Sequence, residues 1–195
     1  MRYSTEHKQL TRSRVLKEAA SVIRAKGPNG VAVADIMARA GLTHGGFYAH
    51  FESKNELVRE AIATMFGDVS ETMANSGRTD DAVTTLRDFL VYYLSSAHRD
   101  NAASGCPMPA LSADLARAEG PARTCFTQGV ENFGARLADA LKAIGIADAD
   151  DEALALQAQL VGAVALARAV DSPVLSDKIL HDNYVQIANR FGLTA

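Results

Sequence analysis

One segment constrains the fold of this 195-residue chain more than any other: residues 41–57, GLTHGGFYAHFESKNEL. Gly41 follows a predicted helix and can adopt the positive φ of a tight turn. Thr43 can cap the short helix that comes next. In that helix Phe47 and Phe51 share one face, which predicts that this face is buried.

The same segment ends in the pattern that opens a long helix. Ser53 and Glu56 have the spacing of a capping box, in which each side chain accepts a hydrogen bond from the backbone at the helix start. The helix before the turn is predicted over Val33–Ala40. Two short helices joined at a glycine predict a helix-turn-helix, a motif whose second helix enters the major groove of DNA.

The wider pattern around this turn resembles the DNA-binding region of the tetracycline-repressor (TetR/AcrR) family of bacterial transcriptional regulators. The resemblance covers about the first third of the chain, and it implies a helical, dimeric, ligand-responsive regulator. The positions that carry it are Arg12, Arg14, Val15, Leu16, Ala19, Ala20, Gly27, Gly30, Val33, Asp35, Ile36, Ala40, Gly41, Leu42, Thr43, Gly45, Phe47, Tyr48, His50, Phe51, Ser53, Lys54 and Leu57.

Hydrophobic periodicity and breaker residues predict an all-α protein of about nine helices, without strands or repeats. We expect a three-helix DNA-binding head in residues 1–55 and a larger ligand-binding and dimerisation domain in residues 56–195. The caps predicted for two of the later helices are Thr79 and Ser176. The other predicted helices span about 6–26, 54–75, 111–118, 121–144 and 152–170.

The net charge of −3 is distributed unevenly along the chain. Residues 1–66 hold ten Lys and Arg against six Asp and Glu, a net charge of +4, whereas residues 67–195 have a net charge of −7. A basic N-terminal third favours attraction to phosphate. The charge distribution alone is equally consistent with an ordinary solvated surface, and it is the helix-turn-helix motif that favours a DNA-binding surface.

Other classes of function find less support in the sequence. No run of eighteen apolar residues predicts a membrane span, and the polar N-terminus lacks a signal peptide, so we expect a cytoplasmic protein. No metal-binding motif, phosphate loop or nucleophile–base pattern is found, so we expect neither a metal, a cofactor nor an enzyme. An all-α enzyme and a protein-binding adaptor stay open as alternatives, although an adaptor needs no basic head.

The resemblance implies specific DNA contacts. His44 and Gly45 fall at base-facing positions, Tyr48 falls between bases and backbone, and His50 and Lys54 fall on phosphates. The alternatives are a packed or capping His50 and a Tyr48 buried against the first helix. The full predicted set is Arg12, Thr43, His44, Gly45, Gly46, Tyr48, His50 and Lys54. Because small residues leave little side chain for base readout, the sequence does not predict the operator.

The resemblance also implies a homodimer in which the last two helices of each copy form a four-helix bundle on a near-palindromic operator. The alternative is a pair of core helices within one subunit. Small residues that allow close approach recur at Ala155, Ala158, Gly162, Ala165 and Ala169, with bulk at Leu156, Leu160 and Val164. A second apolar face is predicted at Ile179, Tyr184, Ile187, Ala188 and Phe191.

The signal is expected to act on the second domain, as a small molecule or an electrophile, to relieve repression; activation is the alternative. Candidate ligand contacts, each of which could instead be plain core, are Phe89, Tyr92, Tyr93, His98, Phe126, Gln128, Asn132 and Phe133. The segment from Ser104 to Leu115 resembles the N-ethylmaleimide-reductase repressor subgroup of the family, whose cysteine senses electrophiles. Cys106 stands just before a predicted helix, whose N–H groups would lower its pKa. The alternative is an inert, buried thiol, and Cys125 is expected to be core.

Overall fold

A computed structural model describes residues 2–76 and 81–193, and every regular element within these ranges is a helix, as predicted. Ten helices occur there, one more than expected, because an additional short helix was not predicted between residues 93 and 107. They are α1 (Arg2–Lys26), α2 (Val33–Arg39), the 3-10 helix η1 (His44–Ala49), α3 (Lys54–Ser76), α4 (Ala82–Tyr93), α5 (Ser96–Asp100), α6 (Pro107–Leu115), α7 (Pro121–Ala143), α8 (Ala149–Ala169) and α9 (Pro173–Arg190).

Two predicted helix caps are replaced by other residues. Thr79 lies outside the described residues, and α4 is capped by Asp81, whose carboxylate accepts hydrogen bonds from Val83 N and Thr84 N. Ser172 caps α9 by accepting from Leu175 N, so the prediction of Ser176 was wrong. The physical reason is the proline at position 173, which is well suited to the first position of a helix and moves its start forward.

The region around Cys106 is more helical than predicted. α6 begins at Pro107 rather than at Leu111, because prolines within the first turn of a helix remove no helical hydrogen bond. Upstream, Ser95 caps the five-residue α5 by accepting a hydrogen bond from His98 N. Only residues 101–106 remain as a loop, and we call them the Cys106 loop.

The helices share one continuous apolar core that joins the head to the rest of the chain. α1 packs on α3, α3 on α7, α7 on α8 and α8 on α9. α3 passes position 55 without interruption, so it belongs to both of the predicted parts. Among the described residues, no helix is long and apolar enough to cross a membrane, and no three His, Cys, Asp or Glu side chains are grouped to hold a metal ion.

Candidate nucleic-acid interface and regulatory site

The recognition helix η1 has a buried side and an exposed side. Phe47 and Phe51 are each only 2% exposed, and their rings stack with centroids 5.6 Å apart. Tyr48 is 73% exposed and touches Phe47 edge-on, so it is not buried against α1. The two phenylalanines therefore anchor η1 in the head and leave the opposite side to solvent.

The exposed side holds most of the residues predicted to contact DNA. Gly46 is half-buried, and the exposed members of the predicted set, which we call the recognition face, are Thr43, His44, Gly45, Tyr48 and Lys54. Thr43 occupies the N-cap position, but its hydroxyl makes no capping hydrogen bond, so its predicted cap was wrong. Its side chain is therefore available for an external contact.

The two adjacent glycines of η1 are not required by the fold. Neither has a positive φ, and a Cβ added to Gly45 would meet nothing within 4 Å. A Cβ on Gly46 would come to ordinary contact distance from Met37 Cε, at 3.7 Å. Because glycine costs about 1 kcal/mol in a helix, two glycines without a packing reason favour close approach by something outside the protein.

The predicted capping box at the start of α3 forms with one change. Ser53 Oγ accepts a hydrogen bond from Glu56 N at 3.1 Å, as expected. Glu56 Oε2 accepts from Glu52 N at 2.5 Å, one residue earlier than in the standard motif. Lys54 is thus presented at the N-terminus of a capped helix, where the N–H groups and helix dipole also attract anions.

His50 is half-buried at the end of η1, an exposure that is compatible both with a phosphate contact and with packing. Burial lowers its pKa, and the nearby cations Lys8 and Arg12 lower that pKa further. Its Nδ1 is buried and has no hydrogen-bond partner among the described residues. The imidazole is therefore held neutral in the free protein, with one ring nitrogen unsatisfied.

Arg12, predicted as a DNA contact, is engaged within the chain. Its Nε donates to His50 O at 3.2 Å, its Nη2 pairs with Glu56 at 3.4 Å, and its Nη1 pairs with Glu60. The guanidinium holds the pKa of Glu60 below its usual range. All three nitrogens therefore have internal partners before any DNA is bound.

The predicted ligand contacts fall into two separate places. A cavity of about 20 Å³ beside Cys106 is lined by four of them, which are Phe89, Tyr92, Tyr93 and His98. That volume holds about one water molecule. Gln128 and Asn132 instead line an open groove of about 560 Å³ between α3 and α7, beside the half-buried Cys125. Phe126 packs edge-on against Phe66, and Phe133 is buried core, so no single pocket unites the predicted set.

Cys106 is buried beside the Tyr93 hydroxyl, and burial raises the pKa of its thiol. This corrects the expectation of a lowered pKa. The Tyr93 hydroxyl, Met108 N–H, Arg24 and Arg168 each favour the thiolate, but the loss of hydration outweighs them. In this structure the thiol is therefore neutral and shielded from solvent.

His98 joins the Cys106 loop to the end of α4 through its two ring nitrogens. Cys106 N–H donates to Nε2 at 2.9 Å, so Nδ1 carries the proton and donates to Tyr93 O at 2.7 Å. Gly105 packs so closely that a Cβ there would lie 2.7 Å from His98 Nε2. A protonated imidazole could not accept the Cys106 hydrogen bond, so the neutral ring is part of the loop's structure.

Two arginines that the sequence did not single out hold this loop and the short helix α5 before it. Arg24 of α1 is 6% exposed, donates to Ala103 O at 3.3 Å and pairs with Asp68 of α3 at 3.1 Å. Arg168 of α8 donates to Arg99 O and His98 O, each at 2.9 Å. In the sequence both resemble ordinary surface cations at helix ends, and only the fold shows that they converge.

The neutral state of His98 predicts how stability depends on pH. Its pKa is lowered, first by burial and then by Arg168, while the hydrogen bond to Tyr93 opposes the shift. The unfolded chain, with a histidine pKa of about 6.5, therefore binds the proton first as pH falls. The free energy of unfolding should be level above about pH 7.5 and should drop below about pH 6.5, by at most about 1.4 kcal/mol per pH unit from this residue.

Urea unfolding at a series of pH values checks this, with His98→Gln as the comparison variant. His50 contributes with the same sign, because its pKa is also lowered, so only the difference between the two proteins reports His98. A slope below about pH 6.5 that is identical in both proteins would contradict the prediction.

One face of α8 remains open in the single chain. Leu154 and Leu166 are 67% and 60% exposed, and small residues at Ala155, Ala158 and Ala169 are exposed on the same face. The bulky residues predicted beside them, Leu156, Leu160 and Val164, are fully buried in the protomer. In α9, Ile187, Ala188 and Phe191 are likewise buried, so only Ile179 and Tyr184 of that predicted face stay partly accessible.

Comparison with known proteins agrees with this architecture. Residues 15–61 match the family model for bacterial regulatory proteins of the tetR family. The repressor DhaR of Mycobacterium sp. strain GP1 is 29% identical over 126 residues, which are 63% of this chain and 63% of that protein. The chain thus spans less than two thirds of the length of the curated relatives that it matches.

Solved structures extend the similarity to nearly the whole chain. A TetR transcriptional regulator from Chloroflexus aurantiacus J-10-FL is 29% identical, with a TM-score of 0.79 over 94% of this chain and 95% of that one. Reduced NemR of E. coli shares the fold at 21% identity, with a TM-score of 0.74 over 92% and 95% of the two chains. The chain is thus similar to tetR-family regulators in its N-terminal helix-turn-helix, and to solved TetR regulators in its whole fold.

Proposed function

We propose that this protein is a homodimeric repressor that binds a near-palindromic DNA operator through its recognition face. The observation that carries the proposal is the division of residues 43–54: Phe47 of η1 and Phe51 just after it are buried, while Gly45, Tyr48 and the adjacent Lys54 are exposed. Burial fixes the orientation of the helix, and the exposed side is left with hydrogen-bonding groups and a cation. Such a combination suits a phosphate backbone and the base edges beside it.

Repression, rather than activation, is supported by the relative DhaR, which is a repressor. A protein-binding adaptor is less well supported, because its interface would be enriched in aromatic anchors rather than in glycines and lysine. The glycines of η1 favour a partner whose backbone or base edges come close to the helix.

The dimer is supported by the open face of α8. Exposed leucines and alanines along one side of a helix whose other side is core leave apolar area that a second copy can cover. A two-fold axis would place two recognition faces about one turn of DNA apart, which is the spacing of a near-palindromic operator.

The signal, in this proposal, acts at Cys106. The cavity beside it is too small for a drug-sized ligand, which favours a small or reactive compound over a large one. Its loop accepts a hydrogen bond from Arg24 of α1, which also pairs with Asp68 of α3. The loop is also bonded to His98 of α5, whose carbonyl accepts from Arg168 of α8, so displacement of the loop would disturb both the head and α8. A shift in the spacing of the two heads would then weaken operator binding.

Lys54→Ala tests the proposed interface. After selection of a bound duplex from random DNA, the variant should bind every duplex more weakly, because one phosphate contact is lost. The slope of log affinity against log salt concentration should fall in magnitude by about one unit per binding head. Titration at several salt concentrations measures both quantities, and an unchanged slope would refute the phosphate contact.

His44→Ala provides the matched comparison, because it changes an exposed residue of the same face without removing a fixed cation. It should relax preference at one base pair per half-site and leave the salt slope unchanged. An equal loss of affinity for all sequences would show that His44 does not read a base.

A further inference from the structure

We propose that Arg12 is the positioning residue of the recognition helix, and that it orients η1 for DNA rather than contacting DNA itself. The inference rests on the proposed DNA binding. It begins from the location of Arg12 on α1, the one head helix that is separate in sequence from the helix-turn-helix and α3.

The guanidinium connects α1 to the end of η1 and to α3, and it uses a different nitrogen atom for each contact. Its Nε donates to the carbonyl of His50, the residue that follows η1, at 3.2 Å. Its Nη2 meets Glu56 at 3.4 Å and its Nη1 meets Glu60, one turn further along α3. One planar group on α1 therefore sets the end of η1 against the start of α3.

The His50 carbonyl is the kind of group that needs such a partner. Carbonyl oxygens at the C-terminal end of a helix receive no hydrogen bond from within the helix, so water or a side chain must donate to them. The Arg12 Cζ also lies 4.7 Å from the centroid of the Phe51 ring, so the cation covers the aromatic anchor of the recognition helix. Two of the contacts of Arg12 are thus made to His50 and Phe51, the residues that directly follow η1 and hold its end in place.

The two carboxylates give Arg12 a second effect. Glu56 and Glu60 follow Lys54 on α3, close to the proposed phosphate contact, where unpaired negative charge would repel DNA. A lysine could pair with one carboxylate, but its single ammonium cannot reproduce three directed contacts. The geometry requires the fork of arginine rather than only its charge.

Arg12→Lys separates positioning from charge. Operator affinity should fall by at least about tenfold, while the salt slope stays at the wild-type value, because no phosphate contact is lost. Amide hydrogen exchange should accelerate in residues 44–51 and stay unchanged in α7 and α8. Arg14→Lys, an exposed substitution half a turn away on α1, is the matched control and should change neither quantity.

Glu60→Gln is a milder second variant that keeps Arg12. It should also accelerate exchange in residues 44–51 and leave the salt slope unchanged. A steeper slope, which would mean that the freed guanidinium had moved to a phosphate, would overturn the inference. Wild-type affinity and exchange in Arg12→Lys would overturn it as well.

The exchange measurement needs no DNA, so it keeps this inference separate from the proposed function. If the wild-type protein binds no duplex, the proposed function fails, and accelerated exchange in Arg12→Lys still shows that Arg12 holds η1. If the wild-type protein binds DNA and Arg12→Lys matches it in affinity and exchange, only the role of Arg12 fails.

Discussion

Leu166→Glu should convert the protein to a monomer and reduce operator affinity by roughly 10²- to 10⁴-fold, because two linked heads would then act separately. Leu166 is exposed in the single chain, so the substitution does not disturb the protomer core. In a two-fold interface each change occurs twice, and two carboxylates would be buried without partners, which costs several kcal/mol. Sedimentation at micromolar concentration measures the assembly, and titration of the selected duplex measures affinity.

Val91→Glu is the control for this experiment. Val91 is also a half-exposed aliphatic residue, but it lies on α4, outside the proposed interface. It should leave the dimer and operator affinity unchanged. A Leu166→Glu protein that remains dimeric and binds DNA normally would rule out the α8 face as the interface.

The contrast between the two faces of α8 shows what the sequence could and could not predict. Apolar residues all around this helix fitted either burial within one subunit or pairing with a second copy, and in the single chain some of them are buried while others are exposed. Leu156 and Leu160 belong to the protomer core, whereas Leu154 and Leu166 do not. Periodicity alone could not separate the two sets, because the side that faces α7 is decided by tertiary packing.

The head was more predictable, because its signals are local. Gly41 has the positive φ expected of the turn, at 69°, and Ser53 accepts the hydrogen bond expected of a cap. The division of Phe47 and Tyr48 between core and solvent also follows from helical spacing. The role of Arg12 was not predictable, because its partners stand 38 to 48 positions further along the chain. The DNA contacts themselves, and a domain boundary near residue 55, stay predictions.

A buried Cys106 was one of the two alternatives that the sequence left open, but the contacts that bury it were not predictable, for the same reason. A cysteine before a helix suggests a lowered pKa, but that inference assumes access to water. The fold instead buries the thiol and brings Arg24, His98 and Arg168 around its loop from three different helices. These distant contacts close the loop over the sulfur, and burial then decides the direction of the pKa shift.

Alkylation by N-ethylmaleimide should therefore proceed in two phases, with operator release in the second. Cys125 is half-buried beside an open groove, and its thiol should react first with little effect on DNA binding. Cys106 should react more slowly, because it is fully buried and its loop must first open, whereas burial raises the pKa of both thiols. Once formed, the adduct cannot fit in a cavity of about 20 Å³, so the loop cannot close again.

Mass spectrometry of each cysteine, sampled beside operator titrations, checks this order. Cys125→Ser should keep the slow phase and lose operator binding with it, in parallel with modification of Cys106. Cys106→Ser should keep its affinity for the operator after complete modification of Cys125, because the contacts of Arg24 and His98 with the loop are then undisturbed. Loss of DNA binding that follows Cys125, or that occurs equally in Cys106→Ser, would leave Cys106 as an inert core thiol and would remove the proposed route from this site to the head.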